Sequence, residues 1–357
     1  MNEMPNEMPN EMPNGMPNGT MRAVAYRASL PVEDDASLVD VELPVPRPGP
    51  HDLLVRVEAV AVNPVDYKVR RNDDPGGRPK VLGWDAAGTV VAVGDRVELF
   101  AVGDEVYYAG AIDRPGTNAQ YHVVDESIVG PKPATLSFTD AAALPLTSLT
   151  AWEGLFERLG LRESEAGRES GTMLVTAAAG GVGAMVAQLA RALTDLTVIG
   201  TASRPESAEF ARRMGVTHVV DHHRPLPQQV AEVAPGGLDH VFSTAGTDRN
   251  LAAYAEMLRP FGGIVAIDDF GPVEIGLLKS KSLSFHWELM FTRSLYRTPD
   301  RARQHDILTR VAGLVDRGAL ATTATTDLGT VNAAHLREAH RILESGSAIG
   351  KITLTGF

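Results

Sequence analysis

Residues 172–183 read Thr-Met-Leu-Val-Thr-Ala-Ala-Ala-Gly-Gly-Val-Gly, and they give the clearest indication of the fold in the whole sequence. Its apolar run 173–175 predicts a strand buried on both faces of a parallel sheet. The glycines after it come just before a segment with helical spacing, and such a turn lets the backbone approach a dinucleotide pyrophosphate at a helix N-terminus. Ala178 stands at the first glycine of the G-x-G-x-x-G pattern, so the turn must accept a Cβ there. The residues expected to contact this cofactor are Ala179, Gly180, Gly181, Val182 and Gly183.

The segment after the loop predicts an amphipathic helix that packs on the sheet. Its apolar stripe follows i, i+3, i+4, i+7, i+8 and i+11 spacing and consists of Val182, Met185, Val186, Leu189, Ala190 and Leu193. Strands and helices then alternate, and the six predicted strands are 172–177, 197–201, 218–220, 239–243, 263–267 and 283–287. Six strands fit the two βαβαβ halves of a Rossmann doubly wound parallel sheet.

Short β runs separated by glycine and proline precede this α/β unit, and β character returns after it. The earlier runs are 22–26, 53–62, 88–93, 105–108 and 121–124. An alanine-rich segment with helical spacing follows them at 138–159. A helical region at 299–317, a strand at 323–328, a helix capped by Asn332 and a strand at 351–355 come last. We therefore predict a mostly β domain from residues 21–145 and 291–357, and a cofactor-binding domain over residues 146–290.

The first twenty residues repeat Asn-Glu-Met-Pro and then Asn-Gly-Met-Pro. Proline at every fourth position forbids a helix, and methionine alone cannot build a core. We expect a disordered tail over residues 1–20, with Met21 opening the folded protein. A segment that binds a partner is the alternative.

Composition excludes several functional classes. The chain has 357 residues, with 33 Lys and Arg against 45 Asp and Glu, so its net charge of −12 leaves no basic surplus for a nucleic acid. It has no apolar run long enough to span a membrane and no secretion signal, and we expect a cytoplasmic protein without nucleic-acid or membrane partners. Zero cysteines exclude disulfides, a cysteine nucleophile, iron–sulfur clusters and thiolate zinc sites.

The end of the second predicted strand indicates which dinucleotide is bound. An NAD site would place an acidic side chain there, but the chain reads Thr201-Ala202-Ser203-Arg204. A hydroxyl and a guanidinium suit a 2′-phosphate, so Ser203 and Arg204 predict NADPH rather than NADH. The alternative is that Arg204 is only a solvated loop residue.

Other residues at strand ends are expected near the cofactor. His222 follows the third strand and lies beside the same phosphate in this prediction. His218, His222 and His223 also form an H-x-x-x-H-H pattern, but strand spacing and the lack of a carboxylate pattern argue against a metal. Ser243 and Thr244 end the fourth strand, where carboxyl ends form the ligand crevice.

Five motifs carry a family resemblance. They are residues 63–66 (Asn-Pro-Val-Asp), 83–88 (Gly-Trp-Asp-Ala-Ala-Gly), 144–148 (Leu-Pro-Leu-Thr-Ser), 178–183 and 286–291 (His-Trp-Glu-Leu-Met-Phe). The chain resembles the medium-chain dehydrogenase/reductase superfamily from residue 21 to 357. Within it, the motifs are similar to the zinc-free quinone oxidoreductase branch and to a subgroup named zinc-type alcohol dehydrogenase-like proteins. This resemblance implies an α/β fold with a GroES-like catalytic domain and a Rossmann domain.

The resemblance also implies that catalytic zinc is missing. In zinc-dependent relatives the position of Asn63 is a cysteine ligand, and the position of Trp84 is the histidine of a Gly-His-Glu motif. Because catalytic zinc needs three protein ligands in fixed geometry, we expect none here.

By the same resemblance, Asn63 lies beside the nicotinamide and donates its amide N–H to the substrate oxygen. Asp66 fixes the local geometry, and Tyr67 and Lys68 are candidate proton donors. Thr147 and Thr150 would hold the nicotinamide carboxamide. The alternative for Asn63 is a turn residue before Pro64.

Without zinc, a simple ketone is a poor hydride acceptor, whereas a quinone or an α,β-unsaturated carbonyl is a better one. We predict an NADPH-dependent reductase of that small-molecule class. The alternatives are an alcohol dehydrogenase with an unrecognised metal site and a non-catalytic NADPH-binding sensor. Asp268 and Asp269 are expected to line the cofactor rim, and His286–Glu288 a homodimer contact or pocket wall.

Overall fold

A computed structural model describes residues 17, 19–163 and 169–357 of the chain. The predicted tail over residues 1–20 lies outside the described residues except for residues 17, 19 and 20. Thr20 already belongs to the first strand. The predicted helical segment 138–159 lies wholly inside the described part.

The first part of the chain forms antiparallel β-sheets with three short α-helices. Its strands are β1 (Thr20–Tyr26), β2 (Val39–Pro44), β3 (Asp52–Val62), β4 (Lys80–Val81), β5 (Ala86–Val93), β6 (Glu105–Tyr108), β7 (Tyr121–Asp125) and β8 (Val129–Pro131). Its helices are α1 (Pro64–Asn72), α2 (Phe138–Ala142) and α3 (Pro145–Trp152), and α3 runs into a π-helical segment, Glu153–Arg158. Every earlier β run is therefore confirmed, and β2, β4 and β8 are additional strands.

The middle part is a six-stranded parallel sheet with helices between its strands. The strands are β9 (Ser170–Val175), β10 (Asp195–Thr201), β11 (His218–Val220), β12 (Leu238–Ser243), β13 (Leu258–Ala266) and β14 (Ser284–Trp287). The helices between them are α4 (Gly181–Leu193), α5 (Pro205–Arg213), α6 (Leu226–Val233) and α7 (Thr247–Met257), and α8 (Thr292–Leu295) follows β14. The spatial order β11-β10-β9-β12-β13-β14 is the doubly wound order predicted from the six apolar runs.

The last part of the chain returns to the first sheet. It contains α9 (Arg303–Asp316), β15 (Ala324–Thr330), α10 (Ala333–Glu344) and β16 (Lys351–Thr355). The Asn332 side chain caps α10 by accepting a hydrogen bond from the His335 backbone N–H at 2.8 Å. Strand β16 pairs antiparallel with β3 and parallel with β15, which extends the sheet of the first part. The predicted return of the chain to its first domain is confirmed.

One apolar core spans both sheets. It contains fully buried residues of the first part, such as Trp84 and Leu53, and of the cofactor-binding part, such as Met185 and Val175. The predicted stripe on α4 lies in this core, with Val182 partly buried and the other five residues buried. The two parts therefore pack against each other along residues that flank the glycine-rich loop.

Candidate active site

The glycine-rich loop forms a tight turn between β9 and α4. The residue with left-handed backbone is Ala177, at φ 45°, and the Gly180 N–H donates to the Ala177 carbonyl at 2.9 Å. A Cβ at Gly183 would lie 2.6 Å from that carbonyl oxygen, so the helix can approach the strand only with glycine there. The first N–H groups of α4 have no partner within the helix, which fits a pyrophosphate.

Three of the predicted cofactor residues lie at the carboxyl ends of β10 and β11. Ser203, Arg204 and His222 are all exposed, and these two strands are neighbours in the sheet. Arg204 is the N-cap residue of α5, and its Nη2 donates to the Ser347 carbonyl at 2.7 Å. Partial desolvation and the nearby His223 lower the pKa of His222, so its imidazole is neutral at pH 7. The positive charge among these three side chains is therefore that of Arg204.

Hydroxyl groups join the ends of β9 and β12. The Thr244 hydroxyl donates to the Thr176 carbonyl at 2.6 Å, and the Thr244 N–H donates to the Thr176 hydroxyl at 2.8 Å. Ser243 is fully buried, where its hydroxyl accepts from Thr247 at 2.7 Å and bonds Tyr254 at 3.0 Å. Of the two predicted residues, Thr244 is the more exposed.

Asn63 lies in a buried polar cluster at the start of α1. Its side chain is 1% exposed, and its backbone N–H donates to the Asp66 carboxyl at 2.6 Å. The Asn63 Nδ2 donates to Asp85 at 2.8 Å, and the Asn63 Oδ1 accepts from the Lys351 ammonium at 2.5 Å. Asp66 thus holds the backbone of Asn63, while Asp85 and Lys351 hold its amide.

Asp85 and Lys351 complete this cluster but were missed from the sequence. The Lys351 ammonium donates to Asp85 at 2.8 Å and to the Val62 carbonyl at 3.0 Å, with its side chain 4% exposed. The second oxygen of Asp85 accepts from the Leu146 N–H at 2.8 Å. Asp85 lies within the quoted 83–88 motif, and a lysine opening an apolar final strand was the available signal for Lys351.

Burial shifts the acids of this cluster toward their protonated forms. Complete burial raises the pKa of Asp66 to about 7, against the opposing effects of the Asn63 N–H and the Lys351 ammonium. Burial also raises the pKa of Asp85, and the attraction of Lys351 opposes this shift. The Asp66 Oδ1 has no hydrogen-bond partner in the described part of the chain.

The polar cluster and the glycine-rich loop meet at β16. The Gly350 N–H donates to the Ala179 carbonyl at 2.7 Å, and Gly350 forms an isolated parallel bridge with Gly180. A Cβ at Gly181 would lie 2.8 Å from the Lys351 side chain and 3.0 Å from that of Thr147. The structure therefore brings the predicted cofactor loop and Asn63 together through Lys351.

The other predicted residues of the catalytic segment and of α3 have different environments. Lys68 forms an ion pair with Asp269 at 2.7 Å, which joins α1 to the loop after β13, and Tyr67 is partly buried. Thr147 and Thr150 are buried, and their hydroxyls donate to carbonyls of their own helical segment, at 3.0 Å to Leu144 and 2.8 Å to Leu146.

The side chains that the resemblance equates with zinc ligands, Asn63 and Trp84, do not offer the donors that zinc prefers. The oxygen of Asn63 faces an ammonium, and the buried indole N–H of Trp84 donates to the Ala111 carbonyl at 3.2 Å. Neither side chain offers the thiolate or free imidazole nitrogen that zinc prefers. Among the described residues, no group of three or more His, Asp or Glu side chains is arranged to hold a metal ion.

None of the described helices is both long enough and apolar enough to cross a membrane.

Two family models match the chain. Residues 49–134 match the alcohol dehydrogenase GroES-like domain, and residues 181–302 match the zinc-binding dehydrogenase model. A solved structure from Rhizobium etli CFN 42, described as a candidate zinc-dependent alcohol dehydrogenase, is 52% identical with a TM-score of 0.90. That match covers 95% of this chain and 98% of the other.

Two curated relatives extend the comparison. A zinc-type alcohol dehydrogenase-like protein of Staphylococcus epidermidis is 35% identical over 335 residues, covering 94% of this chain and 99% of its own length. The 2-methylene-furan-3-one reductase of Solanum lycopersicum is 35% identical over 224 residues, covering 59% of this chain and 54% of its own length.

Proposed function

The chain belongs to the medium-chain dehydrogenase/reductase superfamily of oxidoreductases, and on that basis we propose a reductase of quinones or α,β-unsaturated carbonyls that uses NADPH. The observation that carries this proposal is the buried Asn63 amide, joined to the glycine-rich loop through Lys351. The tomato relative is named as a reductase of a methylene-furanone, which is an activated carbonyl of this class.

The roles of the protein groups follow from their geometry. The nicotinamide, when bound, supplies the hydride. The Asn63 Nδ2 has one hydrogen on Asp85 and a second without a protein partner among the described residues, and that N–H would bind the acceptor oxygen. A hydrogen bond there stabilises the negative charge that develops on this oxygen. In this proposal Tyr67 and Lys68 stay the candidate proton donors, and Thr147 and Thr150 the carboxamide contacts.

The cofactor preference belongs to the same proposal. The backbone of residues 179–183 and the N-terminus of α4 would hold the pyrophosphate, and Thr244 lies at the crevice. The exposed Arg204 guanidinium, with Ser203 beside it, would bind a 2′-phosphate. In this region a phosphate gains a charge-assisted contact that the ribose hydroxyls of NADH would not make.

The proposal includes catalysis without zinc and a cytoplasmic homodimer that acts on small molecules. Asn63, Trp84 and Lys351 argue against a bound dication, because an ammonium already faces the oxygen donors. Strand β14 supports the dimer, because it is an edge strand that carries the exposed Trp287.

The test is NADPH oxidation by purified, metal-free protein with one quinone, one enone and one simple aldehyde. The assay is repeated with NADH and with added zinc. We expect turnover of the quinone or the enone, preference for NADPH and no effect of zinc. Activity on the aldehyde alone, and only after zinc addition, would replace this proposal with a zinc alcohol dehydrogenase. Tight NADPH binding without any turnover would favour the sensor alternative.

A further inference from the structure

The Asn63 amide has one orientation that satisfies its surroundings. The Lys351 ammonium has only donors, and the two Asp85 oxygens already accept from Lys351 and from the Leu146 N–H, so the carboxyl offers the amide an acceptor. The amide oxygen therefore faces Lys351, and the amide nitrogen faces Asp85, as the distances of 2.5 Å and 2.8 Å show. A reversed amide would place N–H against ammonium and oxygen against carboxylate.

Lys351 also links the Asn63 amide to the Asp85 carboxyl. Its ammonium donates to both, and it reaches the Val62 carbonyl next to Asn63 in the chain. The acidic groups that interact with this ammonium are the buried carboxyls of Asp85 and Asp66. Without the ammonium, the amide oxygen loses its donor and Asp85 becomes a buried charge without a counterion.

The stem of Lys351 lies against the cofactor loop. The space that a Cβ on Gly181 would fill is occupied by this stem, whose Cδ is 2.8 Å away. Gly350, the preceding residue, bonds the carbonyl of Ala179. One residue therefore contacts the loop with its stem and the Asn63 amide with its ammonium.

We propose that Lys351 is a positioning residue that orients the Asn63 amide relative to the cofactor loop, so that the free N–H is available to the acceptor oxygen. This inference rests on the proposed function, because it assumes that Asn63 binds the acceptor. Lys351 acts through Asn63 and does not touch the acceptor itself.

The experiment is a double-mutant cycle between Asn63→Ala and Lys351→Met, with the best acceptor of the wild-type protein. We expect Lys351→Met to lower kcat roughly 10- to 100-fold, because misplacing a transition-state donor costs rate. The KM for NADPH should stay within about threefold of wild type. In the Asn63→Ala background the same change should lower kcat by less than about threefold, because the group it positions is absent.

Two further variants complete the design. Lys351→Gln keeps N–H donors for the amide oxygen and should give a kcat between those of wild type and Lys351→Met. Lys132→Met is the matched control, since Lys132 is also a buried lysine, which donates to the Pro133 and Leu136 carbonyls and pairs with Glu105. Its kcat should equal that of wild type.

The outcomes separate this inference from the proposed function. If wild-type protein reduces no quinone or enone, both are wrong. If it does, and Lys351→Met leaves kcat unchanged or lowers it equally in the Asn63→Ala background, only the positioning role is wrong. If neither Lys351 variant folds while Lys132→Met does, Lys351 serves stability and the positioning role is rejected.

Discussion

Asp66 occupies the third position of α1, where its carboxyl accepts from the Asn63 N–H and is fully buried. Burial without a second partner raises its pKa to about 7, so the carboxyl holds a proton over much of the acid range. Because the pKa of this carboxyl in the folded protein exceeds its ordinary value of 3.8, ionisation opposes folding. The contribution of Asp66 to the free energy of unfolding is therefore fully present below about pH 3.8 and is lost as the pH rises to about 7.

The first prediction concerns this carboxyl. Wild-type protein should lose about 2–3 kcal/mol of unfolding free energy between pH 5 and pH 8 through Asp66, because over this window the unfolded carboxyl is already ionised whereas the folded one ionises only near pH 7. In Asp66→Asn this loss should disappear, and urea unfolding at both pH values measures it. Asp35→Asn, at a 96% exposed side chain, is the control and should keep the wild-type pH dependence. An equal pH slope in Asp66→Asn and wild type would contradict the prediction.

The second prediction concerns Arg204. Replacing it with alanine should raise the Kd for NADPH roughly tenfold or more and leave the Kd for NADH within about twofold, because only NADPH carries the 2′-phosphate. Isothermal titration with both cofactors is the measurement. Arg213→Ala is the matched control, since Arg213 is an exposed arginine of the same helix paired with Glu209. If the Kd values for NADPH and NADH rose equally, Arg204 would have a structural role, through its hydrogen bond to the Ser347 carbonyl.

Sequence reasoning found Asn63 and Asp66 because they lie within one short motif. It missed Lys351 because the partners of that lysine, Asp85 and Asn63, precede it by 266 and 288 residues. No local pattern encodes such a contact, since it depends on the register of β16 against β3. A buried ion pair can be predicted from a sequence only when its two residues lie close together along the chain.

At the scale of elements, the sequence predicted the strands closely because buried apolar runs have clear ends. The segment 138–159, expected to be helical throughout, is α2, α3 and a π-helical segment. Pro145 starts α3 at its first position, where a missing N–H costs nothing, and this breaks the segment in two. The π-helical segment places Glu153 beside the loop after β14.

That placement creates a buried pair of acids. Glu153 is fully buried and lies 2.9 Å from Arg293, while Glu288 is 3% exposed and lies 2.8 Å from Arg158. Burial raises the pKa of both carboxyls, and the charge of Glu288 adds to the shift of Glu153, whose pKa rises to about 9. The hydrogen bond with Glu153 favours the ionised form of Glu288, so the pair retains one proton at neutral pH on Glu153. Periodicity could not predict this pair, because a π-helical turn shifts the helical register.

The third prediction concerns Glu153→Gln, which mimics the protonated acid. Because the pKa of Glu153 in the folded protein is raised, wild-type stability should fall as pH rises from 5 to 9. The variant should show a smaller fall and exceed wild type in unfolding free energy at pH 9. Glu157→Gln, which also loses a partner of Arg293, is the control and should retain most of the wild-type fall, because the charge of Glu157 is a minor cause of the shift. A steeper fall in Glu153→Gln would contradict the pair's shared proton.

At the scale of the whole molecule, the discontinuous architecture was predictable from the order of patterns along the chain. The β completion after the parallel sheet is confirmed by β15 and β16. What could not be predicted is how the two parts meet, since the contacts of Gly350 with Ala179 and of Lys68 with Asp269 join distant segments.

The fourth prediction concerns assembly. Trp287 is 56% exposed at the sheet edge and stacks on Phe270 with ring centroids 4.6 Å apart. Trp287→Ser should shift the protein from twice the chain mass to the chain mass in sedimentation, because it removes apolar area from the proposed interface. Leu99→Ser, at an exposed apolar residue of the first part, is the control. A wild-type protein that sediments as a monomer would contradict the proposed dimer.

The late position of Lys351 has a consequence for biosynthesis. During translation, Asp85 leaves the ribosome long before Lys351, which supplies its counterion, and β3 is made equally long before its partner strand β16. The nascent chain therefore carries an unpaired strand edge and an uncompensated acid while the whole parallel sheet is being made. A chaperone that shields β3 until β16 arrives would raise the yield of native protein, and a ribosome stalled before Lys351 would release a chain unable to close its first domain.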